Sequence, residues 1–404
     1  MTSTANGLIY LDNATTSWPK PDQVYAFMLD FYRRCGVTPG RSDSAKANEA
    51  AGIIENVRRG LTAFFGGDED APERLCFSAN ATDALNLIIQ GLLSPGDHVV
   101  ATALEHNSVI RPINHLVRDA GVQATFVPFG GRGFVEPDDI RSAIRANTKL
   151  VIVNHASNVL GTVQPVGEIG RVCKEHGVLF AIDSSQTAGV IPIDMKEMNI
   201  DVLAFTGHKS LMGSTGIGGL YVRKRVDIRI TRSGGTGIRS EDPYHLEEYP
   251  YRLEYGTPNL LGIASLWAGL QWLEETGGAS RVHAHEMALT RRLVDGFRQV
   301  DGVIIYHCED LDDHTPVVSI NIDGMSAPRV GSILDTHYHI ATRAGLHCAP
   351  LVHEQMGTMP LQGSVRFAVG PFNTIHDMDA AIEAVSHIAA EARLKASRVD
   401  SSQS

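Results

Sequence analysis

A chain of 404 residues, 43% hydrophobic and 20% charged, has the composition of an ordinary globular protein and is long enough for two or three domains. Its net charge of −11 argues against a broad nucleic-acid-binding surface, and no run approaches the roughly 18 apolar residues of a membrane span. Five cysteines (Cys35, Cys76, Cys173, Cys308 and Cys348) are odd in number and widely spread, which fits reduced thiols in a cytoplasmic protein better than a disulfide framework. Residues Met1 to Asn6 lack the basic and apolar pattern of a leader, so no signal peptide is expected.

In chain order, Leu8 to Asp12 reads as a short strand. The following stretch from Asn13 carries Pro19 and Pro21, which preclude regular structure and suggest a rigid arm. Helices are expected over Asp22 to Arg33 and Ser44 to Phe65, with a loop from Gly36 to Ser44 between them. A strand–helix alternation then begins. Strands are read at Arg74 to Phe77, His98 to Ala101, Gln123 to Pro128, Leu150 to Asn154, Val178 to Ile182, Asp201 to Phe205 and Ile217 to Arg223. Helices between them cover Asp83 to Leu92, a segment opened by Glu105 to Ser108, Glu136 to Ala146 and Val166 to His176. This pattern predicts an α/β fold with a large, doubly wound, mostly parallel sheet, whose ligands bind beyond the carboxyl ends of the strands.

Residues 224 to 260 show no regular pattern, and a stretch of that length in a compact domain is usually functional or disordered. Helices follow at Leu260 to Thr276 and Arg281 to Val300. Strands at Ile304 to Tyr306, Val317 to Ile322 and Val365 to Ala368, helices at Arg329 to Tyr338 and Asp377 to Lys395, and a loose tail at Ser401 to Ser404 complete a smaller α+β C-terminal domain. The expected division is a large domain over 20–258 and a small one built from 1–19 and 259–404.

The polar residues at strand ends carry the chemistry. Lys209 follows the apolar run Asp201 to Phe205, and Asp183 follows the run Val178 to Ile182. A lysine in such surroundings is a poor packing residue, but burial lowers its pKa and makes it a usable nucleophile. Paired with a carboxylate on a neighbouring strand, it suggests a pyridoxal 5'-phosphate (PLP) site, the lysine bonding the cofactor and the carboxylate facing its ring nitrogen. The pair alone is equally compatible with two loop charges. The pairs His283/His285 and His337/His339 sit two apart on helices and face different ways, so no metal site is read there.

Three motifs in order, Tyr10-Leu11-Asp12-Asn13-Ala14-Thr15-Thr16, Phe205-Thr206-Gly207-His208-Lys209 and Arg366-Phe367-Ala368-Val369-Gly370-Pro371-Phe372-Asn373-Thr374, resemble the class V aminotransferase family of fold-type I PLP enzymes. Within it the chain is similar to the cysteine desulfurases of the selenocysteine-lyase-like group. The resemblance implies that Lys209 bonds the cofactor and moves the α-proton, that Asp183 faces the pyridinium nitrogen, and that His106 stacks on the ring. It implies that Gln186 bonds the ring hydroxyl, that Asn158 lies near that hydroxyl and the substrate, and that Ala81, Thr82, Thr206 and His208 hold the phosphate. It places Thr257 at the phosphate of a neighbouring subunit, hence a homodimer. Asn80 stands where the family usually has glycine, and Ser214 where proline is common.

The segment Arg343-Ala344-Gly345-Leu346-His347-Cys348-Ala349-Pro350 resembles the family's sulfur-accepting loop. Cys348 would attack the substrate sulfur, a step suited to a thiolate. Arg366 matches the arginine that grips the substrate carboxylate, and Arg343 would assist by its charge. Cys76 and Cys173 lie inside apolar elements and read as core. The implied activity converts L-cysteine to L-alanine with the sulfur kept on Cys348 as a persulfide, for delivery to an acceptor protein. L-selenocysteine as substrate, a C–S lyase releasing pyruvate, and a catalytically idle sulfur-carrier or scaffold partner are the alternatives.

Overall fold

The computed structural model describes residues 7–39 and 44–403, with side chains as far as residue 395. Residues 1–6 and 40–43, where the sequence reading placed part of the small domain and of the Gly36–Ser44 loop, and Ser404 lie outside the described residues.

The chain opens with β1 (Ile9–Tyr10), an irregular arm, and the helices α1 (Asp22–Cys35) and α2 (Ala45–Phe64). The alternating part comprises β2 (Leu75–Ser78), α3 (Ala81–Leu92), β3 (His98–Thr102), α4 (Asn107–Ala120), β4 (Gln123–Val127), α5 (Pro137–Ala143), β5 (Thr148–Asn154), α6 (Val166–His176), β6 (Leu179–Asp183), β7 (Val202–Thr206) and β8 (Gly218–Val222). The strands form a seven-stranded sheet in the order β2-β8-β7-β6-β5-β3-β4. β7, β6, β5, β3 and β4 run parallel, and β8 is antiparallel to both of its neighbours. Every residue of β7 and all but the first of β6 are buried, because helices cover both faces of a parallel sheet. Two apolar clusters, one on each face, form this core. β8 needs its glycines: a Cβ on Gly219 would collide with the Cys76 carbonyl of β2 and the Phe205 ring of β7.

After β8 the chain runs without helix or strand to α7 (Leu260–Glu275) and α8 (Ala279–Phe297). The remainder is β9 (Val303–Ile305), β10 (Val317–Ile322), α9 (Ala327–Tyr338), β11 (Ile340–Ala341), β12 (Arg343–Gly345), α10 (Pro350–Met356), β13 (Ser364–Ala368) and α11 (Ile375–Gln403). A four-stranded antiparallel sheet, β12-β13-β10-β9, packs on α8, α9 and α11 around a separate core. α7, within the stretch read as the small domain, packs on α1 and α2 and gives Leu260, Ile263 and Leu266 to the core of the large sheet. Among the described residues no helix is long and apolar enough to cross a membrane.

Element types and order follow the sequence reading, with three additions and one correction. β11, β12 and α10 were not read, being two to seven residues long and too short for a periodicity to show. α11 continues to Gln403 rather than ending near Lys395 with a loose tail from Ser401.

The arm joins the two units. β1 pairs with β11, Asp12 bridges to Ala368 at the end of β13, and the Ser17 amide donates to the His208 carbonyl at 3.2 Å. Residues far apart in sequence therefore meet along one short segment.

Candidate active site

The ends of β5, β6 and β7 and the starts of α3 and α4 meet at one cavity of about 190 Å³. Parallel β6 and β7 are in register with Asp183 opposite Ala204, so Asp183 emerges beside the turn that carries Lys209. Asp183 is held by its own loop: Ser185 donates to Oδ1 from its amide at 2.9 Å and from its hydroxyl at 2.5 Å. Gln186, next along, donates from Nε2 to the Ala14 carbonyl at 3.1 Å.

On the far side, α3 opens at Ala81 and Thr82 with its first-turn N–H groups uncommitted to the helix. Asn80 caps it, accepting from the Asp83 amide at 2.9 Å. Its φ of −174° is extended backbone, open to any residue, so asparagine stands in the glycine position without strain. Thr82 Oγ1 and Ser108 Oγ lie 2.7 Å apart, linking α3 to the start of α4. His106 caps α4, its Nδ1 accepting from the Ser108 amide at 3.1 Å. That bond assigns the ring proton to Nε2.

The small sheet supplies the cavity's other wall. Arg343 on β12 and Arg366 on β13 are direct cross-strand partners. Arg366 is 1% exposed. Its Nη1 donates to the Asn158 carbonyl at 2.9 Å, and its Nη2 to Asp12 Oδ1 at 2.7 Å and Thr15 Oγ1 at 2.8 Å. Arg343 reaches the same Thr15 hydroxyl at 3.1 Å, and its other terminal nitrogen lies 3.6 Å from the Cys348 sulfur.

Cys348 is half-buried, between β12 and α10. It and His347 both adopt left-handed backbone, with φ of 59° and 50°. Each such non-glycine residue costs about 1–3 kcal/mol and persists only where its surroundings enforce it. Here they do so twice: the Cys348 carbonyl accepts from the Asn107 amide at 2.7 Å, and the His347 carbonyl from Asn158 Nδ2 at 2.8 Å. A loop of the small unit is thus pinned to the large one, with its thiol beside a guanidinium.

The electrostatics follow from burial. Desolvation brings the Lys209 ammonium down to about 8; Asp183 opposes the shift, and Arg366 and Arg343 add to it. Desolvation, with the Lys209 charge next, holds the His106 imidazole down at about 4, so the ring is neutral at physiological pH. Burial does the same to His208. Three oxygens of residues lining the cavity, Asn154 Oδ1, Asn158 Oδ1 and Thr206 Oγ1, are buried without a hydrogen-bond partner. A site containing such atoms is built to receive polar groups.

Of the residues predicted from sequence, Lys209, Asp183, Gln186, His106, Ala81, Thr82, Asn158, Thr206, His208, Arg343 and Arg366 all border this cavity. Cys348 adjoins it through Arg343 and His347. Thr257 does not reach it within the chain: it lines a second cavity of about 510 Å³ with Arg58, Tyr255 and Glu254.

Three further groups went unread. Thr15 bridges the two arginines. Lys20, 8% exposed, donates from Nζ to the His208 carbonyl at 2.6 Å, and burial brings its ammonium down to about 7. Glu105 is fully buried under the site, its Oε1 accepting from Thr102 Oγ1 at 2.7 Å and the Asn154 amide at 2.9 Å. The one sequence signal was a charge or hydroxyl in an otherwise apolar or proline-rich stretch.

Burial raises the Glu105 carboxyl to about 8, against the pull of its Thr102 and Asn154 hydrogen bonds. Between the unfolded value near 4.5 and about 8 the folded chain keeps a proton the unfolded chain has lost. Stability therefore falls with rising pH in that window, by up to about 1.4 kcal/mol per unit. Glu105→Gln preserves the acceptor and removes the titration. In urea unfolding the variant should gain stability relative to the native chain as pH rises from 5 to 8; a constant difference would contradict a protonated Glu105.

With this geometry in hand, comparison with known proteins is decisive. The family model "Aminotransferase class-V" matches residues 9–381. The chain belongs to the class-V aminotransferase family. Among curated relatives of this family member, a "Probable cysteine desulfurase" of Halobacterium salinarum is 34% identical over 386 residues, covering 94% of this chain and 91% of the relative. A "Cysteine desulfurase" of Haloferax volcanii is 31% identical over 387 residues, covering 94% and 88%. Among solved structures, an apo cysteine desulfurase from Thermococcus onnurineus NA1 superposes with a TM-score of 0.86 at 32% identity, covering 96% of each chain. The fold is accordingly that of the fold-type I PLP enzymes, as the motifs implied.

Proposed function

We propose that this family member is a PLP-dependent cysteine desulfurase, converting L-cysteine to L-alanine and retaining the sulfur on Cys348 as a persulfide. The observation that carries the reading is the meeting of two chemistries at one cavity. Lys209 and Asp183 lie on adjacent strand ends, and the Cys348 thiol stands at the rim beside the Arg343 guanidinium.

The residues present fit PLP. The N-terminus of α3, with Thr82, His208 and the unpartnered Thr206 hydroxyl, offers donors for a phosphate. Asp183 is oriented for a ring nitrogen by Ser185, and Asn158 Oδ1 awaits a donor. The neutral His106 ring offers a face for stacking, and Gln186 lies at the same edge. When bound, PLP supplies an electron sink for the carbanion formed at the substrate α-carbon.

This chain's residues do the rest. Arg366 receives the substrate carboxylate, and Lys209, as a free amine near its pKa of about 8, takes the α-proton and returns it. Cys348 as thiolate attacks the substrate sulfur: the S–S bond forms as the C–S bond breaks, and the carbon gains the proton that completes alanine. Atoms balance, because cysteine plus thiol equals alanine plus persulfide. The Arg343 guanidinium gives the thiolate a counter-charge at 3.6 Å.

The same reading includes a homodimer in which Thr257 serves the neighbouring subunit's phosphate, supported by its place away from its own chain's cavity; mass in solution checks this. It also includes a large domain at 20–258, which α7 joins by packing on its core, a small one from 1–19 and the rest of 259–404, a cytoplasmic setting and a sulfur-acceptor protein.

The test is to incubate the holoenzyme with L-cysteine and with L-selenocysteine and assay alanine, pyruvate, sulfide and selenide together. Alanine without pyruvate is expected from cysteine. Pyruvate would mark a C–S lyase, activity on selenocysteine alone a selenocysteine lyase, and no product with no bound chromophore an idle scaffold.

A further inference from the structure

Arg366 is buried, and its hydrogen-bonding capacity is largely committed. A guanidinium grips a carboxylate bidentately along one of two edges, Nε with Nη2 or Nη1 with Nη2. Both edges include Nη2. That nitrogen gives one hydrogen to Asp12 Oδ1 at 2.7 Å and the other to Thr15 Oγ1 at 2.8 Å. The Thr15 hydroxyl in turn donates to the same Asp12 oxygen at 2.8 Å and accepts from Arg343 at 3.1 Å. Nε, by contrast, is buried with no partner. The arginine is therefore only partly satisfied: the Nε hydrogen is open, while both Nη2 hydrogens are held by groups of the chain itself, the Asp12 carboxylate and the Thr15 hydroxyl.

Asp12 is placed to yield. Its side chain is 18% exposed against 1% for Arg366, and it sits past the end of β1, held to the small sheet by a single bridge to Ala368. The arm also touches the catalytic lysine's backbone: Thr16 Oγ1, the Ser17 amide and Lys20 Nζ all donate to the carbonyl of His208, the residue before Lys209. A shift at Asp12 is thus continuous with contacts beside Lys209.

We propose that Asp12 is an internal stand-in for the substrate carboxylate, holding Nη2 of Arg366 until an incoming α-carboxylate displaces it, and so acts as a specificity-determining residue for amino acids. This rests on the reading of Arg366 as the carboxylate-binding group. Asp12 keeps the buried cation paired in the empty site, where an unpaired charge is costly. It also sets a threshold: ligands lacking a carboxylate cannot replace it.

The test is calorimetric titration of the holoenzyme with L-alanine, which carries the carboxylate, and with ethylamine, which lacks it. Asp12→Asn removes the competing charge and nearly preserves the shape. If Asp12 occupies Arg366 in most empty molecules, the variant binds alanine tighter by about tenfold, with ethylamine unchanged. Equal or weaker alanine binding would overturn the proposal and make the pair a fixed anchor. Should Asp12→Asn fail to fold, Thr15→Val frees the second Nη2 hydrogen and is expected to tighten alanine binding a few-fold; no tightening overturns it equally. Arg366→Lys separates the two readings. If it binds alanine as well as the native chain does, Arg366 is not the carboxylate site; if it binds alanine poorly while Asp12→Asn gains nothing, only the role of Asp12 falls.

Discussion

Lys209→Ala is expected to abolish desulfuration, lowering turnover of L-cysteine by at least the roughly 10²–10⁴-fold range typical of a positioned acid–base group, and to remove the bound cofactor's visible absorbance. Both losses share one cause, since the amine that would hold the cofactor is also the group that moves the proton. A second readout does not depend on turnover. The nucleophile is the uncharged amine, and desolvation has brought Lys209 to about 8. The rate at which apoprotein takes up PLP should therefore rise with pH through about 8 and then level off, where an unperturbed lysine would keep rising for two further units or so. Uptake independent of pH across that window would refute the assignment of Lys209. Unimpaired alanine production by the variant would refute the mechanism.

Cys348→Ala has the second largest expected effect. Its cavity residues are untouched, so the variant should bind PLP and show the native absorbance, yet produce alanine from L-cysteine at least about a hundredfold more slowly. No persulfide should form, which intact-protein mass spectrometry after a single turnover reads directly. Selenocysteine should be much less affected, because selenium leaves carbon with less help. Undiminished alanine from cysteine would sink the nucleophile assignment. The geometry supports a cost confined to chemistry: the Cys348 side chain makes its contact with Arg343, while the loop is held by backbone bonds to Asn107 and Asn158 that alanine retains.

Much of the architecture was legible because parallel strands announce themselves. Runs such as Val202–Phe205 of β7 and Leu150–Val153 of β5 are apolar throughout, since both faces of the sheet are covered. The polar residue that ends each run then marks the ligand edge, which is how Asp183 and Lys209 were found. Short elements escaped. β12 is three residues long with none fully buried, so no pattern distinguishes it from a loop, yet it aligns Arg343 with Arg366. Glu105, Lys20 and Thr15 escaped with it: each has a partner many positions away, in Asn154, His208 and Arg366, and one sequence carries no record of such pairing.

By itself the sequence determined the class of the fold, and it singled out the polar strand ends and the lysine, the aspartate, the cysteine and the arginine as candidates. These are local facts: burial periodicity, a charge where packing wants none, and a motif read along the chain. Only the tertiary structure decided how they meet. It brought Cys348 to the site by bonding a left-handed loop to α4, put Thr257 outside its own chain's cavity, and paired Arg366 with Asp12. The reason is physical. Hydrogen-bond saturation and desolvation depend on what surrounds a group in space, and in this chain the decisive partners stand more than three hundred residues apart, as Asp12 and Arg366 do.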